Sequence, residues 1–199
     1  LTLRSVSLED FRLFEARNCT GEVRNTRQER QVPTSMGYHF CSTSYFGSNM
    51  IFDGNTLQGD LFDTGRSVTS RITNNEIYSL FAESGLISNN HIGYGYFWFN
   101  TGETSDPIII LNNEFESMHD TCDGYFHFSR NTIKGDEFSS RPDSRSIISG
   151  NVLHNTSMAV RDQPTPFAVT HNIMISDRTE YPYPCFYGVN SAVQFYNNA

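Results

Sequence analysis

The feature that most constrains this chain is a short motif, apolar-x-x-Asn-x-apolar, which recurs about once every twenty residues. Its seven complete copies are Phe52–Leu57, Ile72–Ile77, Ile87–Ile92, Ile110–Phe115, Phe128–Ile133, Ile148–Leu153 and Val169–Met174, and an eighth begins at Phe195. Successive Asn residues are separated by 20, 15, 23, 18, 20, 21 and 26 positions. A repeat of this size predicts a solenoid, in which each unit packs only on its neighbours.

The recurring Asn predicts a tight corner between two short strands. Asn adopts the left-handed backbone conformation more readily than most residues, so we expect the Asn itself to adopt it at the corner. The apolar residues three before and two after the Asn then end one strand and begin the next, both pointing inward. Coils stacked about 4.8 Å apart would align the Asn amides in a ladder. The sequence therefore predicts an all-β parallel β-solenoid of roughly 8–9 coils with an Asn ladder.

Composition agrees with this prediction. The chain has 16 Phe, 10 Tyr and 18 Asn but only 10 Leu, whereas a helical protein is richer in Leu, Ala, Glu and Lys. The net charge of −8 disfavours nucleic acid and anionic membrane surfaces as partners, because both attract Lys and Arg. No apolar run approaches the roughly 20 residues that span a bilayer, so no membrane span is expected.

The repeat resembles that of the pectate lyase-like right-handed parallel β-helices, which include polysaccharide lyases and phage tailspikes. Their repeats, written I-x-x-N-x-I, place an Asn ladder at a short turn between two strands. The resemblance covers residues 50–199. It implies a right-handed parallel β-helix, polysaccharide as the partner, and an extracellular, cell-surface or virion location. Because this architecture hosts lyases, hydrolases, epimerases and structural proteins, the resemblance implies no single activity.

The chief alternative fold is a leucine-rich repeat, whose consensus also contains L-x-x-N-x-L. The upstream part of that consensus is missing here, since Glu83–Leu86 precedes Ile87. The repeat length also varies by eleven residues, whereas a leucine-rich repeat holds its length closely. Both observations favour the β-helix.

Two regions are predicted within one continuous domain. Residues 1–49 are irregular N-terminal coils or a cap, and residues 50–199 are regular coils. We favour irregular coils at the N-terminus over a helical cap around Ser7–Ala16. Surface loops are expected at Thr101–Pro107, Asp136–Ser144 and Asp177–Pro184, which contain Pro, Gly, Ser or charged residues.

Two further expectations concern covalent and subunit contacts. Cys19 and Cys41 are about one coil apart, so they form either a disulfide or two buried thiols. The sequence stops inside a repeat, and an exposed last coil is an aggregation edge. A further segment or a homo-oligomer is therefore expected to cover it, and the resemblance to tailspikes implies a trimer.

Candidate catalytic residues lie in two outward columns, one and three positions after each Asn. They are Glu116, Lys134, His154, Glu114 and His91. Paired carboxylates are able to serve glycoside hydrolysis, and a Lys or His beside carboxylates is able to abstract the proton next to a uronate carboxyl group. The alternative is a solvated ladder of opposite charges, worth a few tenths of a kcal/mol per pair.

Other binding residues are aromatic or acidic. Tyr78, Tyr94, Tyr96 and Trp98 are the candidate substrate-binding residues, because outward aromatic rings stack on sugars, although core packing is the usual role of such rings. The acidic segment Glu116–Gly124 offers oxygen ligands for Ca²⁺ but lacks EF-hand spacing. A solvated surface loop is therefore favoured over a Ca²⁺ site. We expect no resident metal or other cofactor.

Two functions therefore remain open from the sequence. The first is a carbohydrate-active β-helix, namely a secreted polysaccharide lyase, a glycoside hydrolase or a tailspike depolymerase. The second is a non-catalytic β-solenoid, such as an adhesin or a viral fibre, that binds glycans without cleaving them. The sequence does not decide whether the chain is an enzyme.

Overall fold

The computed structural model describes residues 2–4, 7–9, 14–17, 20–29, 39–44, 49–63, 70–82, 85–97, 107–116, 118, 122–135, 137–162, 166–177, 185–189 and 192–199. Within these ranges the chain forms strands and turns but no helix. The strands are β1 (Thr2–Arg4), β2 (Ser7–Glu9), β3 (Phe14–Arg17), β4 (Thr20–Arg24), β5 (Arg27–Glu29), β6 (His39–Ser44), β7 (Asn49–Asp53), β8 (Thr56–Asp63), β9 (Arg71–Thr73), β10 (Glu76–Ala82), β11 (Leu86–Ser88), β12 (His91–Phe97), β13 (Ile108–Leu111), β14 (Glu114–Phe115), β15 (Cys122–Gly124), β16 (Phe126–Ser129), β17 (Thr132–Lys134), β18 (Glu137–Pro142), β19 (Ile147–Ser149), β20 (Val152–His154), β21 (Ser157–Arg161), β22 (Phe167–Thr170), β23 (Ile173–Ile175), β24 (Phe186–Val189) and β25 (Val193–Tyr196).

These strands form three parallel sheets. Sheet 1 contains ten strands in the order β1-β4-β7-β9-β11-β13-β16-β19-β22-β25, and each strand leads through a corner towards sheet 2. Sheet 2 contains eleven strands along the path β2-β5-β8-β10-β12-β14-β17-β20-β23, with β3 and β6 attached beside β8. Sheet 3 has the order β15-β18-β21-β24. The predicted all-β parallel solenoid is confirmed, with ten described strands in sheet 1 rather than 8–9.

The Asn ladder is present and buried. Each ladder Asn donates its side-chain Nδ2 to Oδ1 of the Asn on the next coil, over 2.8 to 3.2 Å. The same Oδ1 accepts the backbone N–H of the preceding Asn over 2.8 to 3.0 Å. The ladder runs from Asn55 to Asn198, and the N–H of Thr26 donates to Asn55 Oδ1 one coil earlier. Because buried backbone donors need partners, the ladder satisfies the polar groups that the corner leaves open.

The backbone conformation of the corner differs from the prediction by one residue. Positive φ occurs at the residue before each ladder Asn, and these residues are Gly54, Asn74, Asn89, Asn112, Arg130, Gly150, His171 and Asn197. The ladder Asn residues are not among the described residues with positive φ. The expectation that the ladder Asn itself is left-handed is therefore wrong. The ladder position requires the amide side chain, while the left-handed position is filled by Gly, Asn, Arg or His.

The core lies between the sheets and is built from the predicted inward positions. The residues three before the Asn, from Phe52 to Val169, are buried, and so are those two after it from Leu57 to Leu153. Met174, in the seventh copy, is only half-buried. Three Phe rings, one from each sheet, stack in sequence: Phe115 on Phe128 at 6.0 Å and Phe128 on Phe138 at 4.7 Å between centroids. Burial of such large apolar side chains stabilises each coil against the next.

Sheet 3 corrects one loop prediction. Residues 137–142, which lie inside the expected loop Asp136–Ser144, form β18 with Phe138 buried. The sequence hides this strand because polar residues surround Phe138, and two of them, Ser139 and Ser140, are buried with it, so no apolar alternation marks the strand. At the N-terminus, Ser7–Glu9 and Phe14–Arg17 are strands, which agrees with coils rather than a helical cap.

Other predictions lie outside the described residues. Cys19 and the side chain of Cys41 are not described, and neither are residues 101–106 and 178–184 of the other two loops. The division of the chain at residue 49 also stays a prediction, although β4 pairs with β7 across it.

Candidate functional site

The outer face of sheet 2 carries both predicted columns. Strand pairing aligns Glu76 with His91, His91 with Glu114, and Glu114 with Thr132. In the second column, Lys134 pairs with His154. The register read from the Asn motif is therefore confirmed, and it brings charged side chains of consecutive coils into contact. We call this surface the sheet 2 face.

Four candidate residues form one cluster on the sheet 2 face. Lys134 Nζ donates to Glu114 Oε1 over 2.7 Å and to Glu116 Oε1 over 2.8 Å. The ring nitrogens of His91 lie 3.5 Å from Glu114 Oε2 and 3.8 Å from Glu116 Oε1. All four side chains are 39 to 46% exposed, so solvent screens their interactions. We call these residues the Lys134 cluster.

His154, the fifth candidate, lies beside this cluster but interacts elsewhere. Its Nε2 is 4.0 Å from the carboxylate of Asp177, and its Nδ1 is 3.4 Å from the Asn155 amide. Strand pairing places it next to Lys134, as predicted. The structure thus brings together four of the five candidate catalytic residues in direct contact.

The electrostatics of the Lys134 cluster fix its charge state. The hydrogen bond from Lys134 lowers the pKa of Glu114 below its usual value. Hydrogen bonds to Glu114 and then Glu116 raise the pKa of Lys134. At neutral pH the pair is therefore carboxylate and ammonium, which makes Glu114 a poor proton donor and Lys134 a poor base.

The same cluster holds a potential set of metal ligands. Within the described part of the chain, His91, Glu114 and Glu116 form a group whose ligand atoms all lie within 4.8 Å of one another. An imidazole and two carboxylates are donors that Zn²⁺ accepts. However, Lys134 Nζ already bonds to both carboxylates, so a metal ion would have to displace its ammonium group. For the expected Ca²⁺ segment, Ser117 and residues 119–121 lie outside the described residues.

An open depression of about 420 Å³ lies next to the cluster on the sheet 2 face. Its polar and aromatic lining residues are Thr56, Gln58, Glu76, Tyr78 and His91. Tyr78 is 60% exposed, an unusual degree for an aromatic side chain on a sheet. Gly93, on the neighbouring strand, has no side chain that covers the ring. We call this the Tyr78 depression.

The other predicted aromatic binding residues are not located in full. Tyr94 and Tyr96 belong to β12, which extends the sheet 2 face, but their side chains are not described. Trp98 lies outside the described residues. Of the four predicted substrate-binding residues, only Tyr78 is therefore placed as a side chain, and its ring is outward as expected.

A second open depression, of about 470 Å³, runs along the Asn corner. It is lined by the exposed side chains of Asn89, Asn112 and Arg130, together with His91 and Glu114 of the Lys134 cluster. His91 thus borders both depressions. The two depressions meet at His91 and form one strip that crosses several coils.

Sequence reasoning missed a polar cluster on sheet 3. Tyr187 Oη donates to Glu137 Oε2 over 2.5 Å, and Arg161 donates to Glu137 Oε1 over 2.8 Å and to Ser139 Oγ over 2.6 Å. Burial, followed by the bond to Glu137, raises the pKa of Tyr187 to about 12. The missed signal is the spacing of 24 residues between Glu137 and Arg161, about one coil. With every member paired, this cluster fastens three coils rather than offering a site.

Comparison of the chain with protein-family models, curated proteins and solved structures gave no match. The fold and the side chains therefore define the class of protein, which is a parallel β-solenoid with an Asn ladder. Among the described residues, no helix combines the length and apolar character that crossing a membrane requires.

Proposed function

We propose that this chain is an extracellular or virion-associated β-solenoid that binds polysaccharide on its sheet 2 face. The observation that carries the proposal is the Tyr78 depression. An exposed aromatic ring stacks on the apolar face of a sugar, and hydroxyl, amide, carboxylate and imidazole groups around it bond to sugar hydroxyls. A strip that crosses several coils suits a polymer rather than a small molecule.

The geometry favours binding without cleavage. A retaining glycosidase needs one carboxyl group that stays protonated as the acid, and its partner must be free to attack. Here Lys134 holds the carboxylates of both Glu114 and Glu116, and the pKa of Glu114 is lowered. A lyase that uses Lys134 as its base needs a neutral amine there, whereas the pKa of Lys134 is raised. This supports an adhesive or fibre protein over a lyase or hydrolase.

The proposal extends to family and assembly through the sequence motif. The Asn ladder is the feature for which the chain resembles the pectate lyase-like β-helices, and that resemblance supports an origin in this superfamily. A polysaccharide-binding fibre of this kind would be secreted or carried on a virion. Like a tailspike, it would assemble as a homo-oligomer, namely a trimer.

Binding is tested by titrating neutral, acidic and amino-sugar oligosaccharides into the protein in a calorimeter. We expect saturable binding of at least one class, weakened about fivefold by Tyr78→Ala, since one stacking contact contributes about 1 kcal/mol. Tyr196→Ala is the matched control, because Tyr196 is 49% exposed but lies on sheet 1. No binding, or equal losses in both variants, would refute the proposal.

Cleavage is tested on the same polysaccharides by following reducing ends and the absorbance of unsaturated products. We expect neither signal to increase above that of the buffer. Activity that disappears in Glu116→Gln and in Lys134→Ala would instead establish the enzyme and assign its site to the Lys134 cluster.

A further inference from the structure

The Tyr78 depression contains an exposed carboxylate that pairs with no Lys or Arg among the described residues. Glu76 lines the depression beside its strand neighbour His91, and no described side chain forms an ion pair with it. This differs from Glu114, whose charge is offset by Lys134 over 2.7 Å. A carboxylate in such a position is available to a ligand.

The surrounding sheet 2 face is also negative. Between Thr56 and Lys134 its outward columns present three carboxylates, those of Glu76, Glu114 and Glu116, against the ammonium of Lys134 and the imidazole of His91. Lys134 is held between two of these carboxylates, so its charge is not free for an anion. Arg27, which lies beside Thr56 on the preceding coil, already interacts with another group. An anionic sugar would therefore meet repulsion at this surface.

We propose that the Tyr78 depression selects an amino sugar with a free, protonated amino group over an N-acetylated sugar or a uronic acid. This inference rests on the proposed function and names its ligand class. The sugar ring stacks on Tyr78, its ammonium group donates to the Glu76 carboxylate, and its hydroxyls bond to Thr56 and His91. Gly93 leaves the ring uncovered from the neighbouring strand, which keeps room for the sugar.

Three trisaccharides of equal length test the inference by calorimetric titration at mildly acidic pH: glucosamine, N-acetylglucosamine and galacturonic acid. We expect the glucosamine trisaccharide to bind about two- to fivefold more tightly than its N-acetylated form, the range of one exposed ion pair. Galacturonic acid should bind most weakly. Added salt should reduce the preference, because exposed charges are screened.

Two variants with equal loss of charge locate the effect. Glu76→Gln should remove the preference for the free amino group, so that the glucosamine and N-acetylglucosamine trisaccharides bind with equal affinity. Asp162→Asn removes one exposed charge directly after β21 of sheet 3, outside the residues that line the Tyr78 depression, and should leave the preference intact. A preference that falls equally in both variants would reflect net charge alone and would overturn the inference.

The remaining outcomes separate the inference from the proposed function. Equal binding of the acetylated and free forms, or tightest binding of galacturonic acid, overturns the amino-sugar preference and leaves polysaccharide binding standing. If none of the three trisaccharides and no member of the wider oligosaccharide panel binds, both the amino-sugar preference and the proposed polysaccharide binding are overturned.

Discussion

The side-chain Nδ2 of Asn113 lies 3.1 Å from Oδ1 of Asn131 on the next coil, and both residues are at most 2% exposed. The same oxygen accepts the backbone N–H of Asn113 over 2.9 Å. One amide oxygen therefore satisfies two buried donors of the neighbouring coil. Repeated along the axis, this pair is the unit that holds the corner of the solenoid.

Removing one ladder side chain should cost much more than removing its neighbour. Asn131→Ala leaves the backbone N–H of Asn113 without its acceptor and the backbone carbonyl oxygen of Ile110 without the Asn131 donor. We therefore expect the free energy of unfolding to fall by about 3 kcal/mol. Urea unfolding measures it. Asn112→Gly is the control, because Asn112 is exposed at φ 54° and Gly adopts that conformation freely. A similar loss in both variants would contradict the role of the ladder.

Gly85 should be irreplaceable for a reason unrelated to the ladder. Its φ is +90°, and a Cβ atom there would overlap the backbone oxygen of Ser70. Gly85→Ala should therefore lower the unfolding free energy by at least about 2 kcal/mol. Gly150→Ala is the control, since its φ is +70° but its nearest atoms lie 3.6 Å away, and it should lose only about 1 kcal/mol. Equal losses in urea unfolding would show that the overlap is relieved.

Lys134→Met should raise the pKa of Glu114. The hydrogen bond from the Lys134 ammonium group lowers that pKa. The ion pair therefore stabilises the fold at pH values above the pKa that Glu has in the unfolded chain. This stabilisation is lost as the pH falls through the lower pKa of Glu114 in the folded protein. In the variant, the free energy of unfolding should no longer fall with this carboxyl group's protonation at acidic pH. Its stability at neutral pH should change little, because the ion pair is exposed. Carboxyl NMR titration measures the shift, with Asp143, paired to Arg145, as the internal reference. An unchanged Glu114 titration would refute the assigned charge state.

The phenol of Tyr187 should ionise only at high pH. Its pKa is raised to about 12 by burial and by the Glu137 carboxylate, so the contact stabilises the fold below the unfolded tyrosine pKa and fades as the pH rises from about 10 to 12. Ultraviolet titration should show a late-ionising phenol that disappears in Tyr187→Phe. That variant should lose no more than about 1 kcal/mol. Tyr78→Phe serves as the control and should leave the late phenol in place.

The sequence predicts the part of this fold that repeats in register. Because the Asn motif marks one corner of each coil, it identifies the two sheets on either side and the outward columns that meet at Glu114 and Lys134. It misplaces the left-handed residue by one position, since Asn112 and Asn113 are the same residue type and only the structure separates their roles. Residue identity thus locates the corner, but hydrogen bonding assigns its two positions.

The rest of the molecule lacks such a marker. Strand β18 has a single large apolar side chain, Phe138, so its alternation is too weak to separate from a loop. The contact between Glu137 and Tyr187 joins residues 50 positions apart across an intervening coil, and no local pattern encodes that distance. The Tyr78 depression depends on Gly93, whose importance follows only from strand pairing.

The central claim, that the sheet 2 face binds sugar, is tested most directly by mapping NMR chemical-shift changes on addition of the glucosamine trisaccharide. The account predicts shifts concentrated at Glu76, Tyr78, His91 and Gly93, with sheet 3 residues such as Tyr187 unchanged. Shifts confined to sheet 3, or spread evenly over the whole surface, would contradict it.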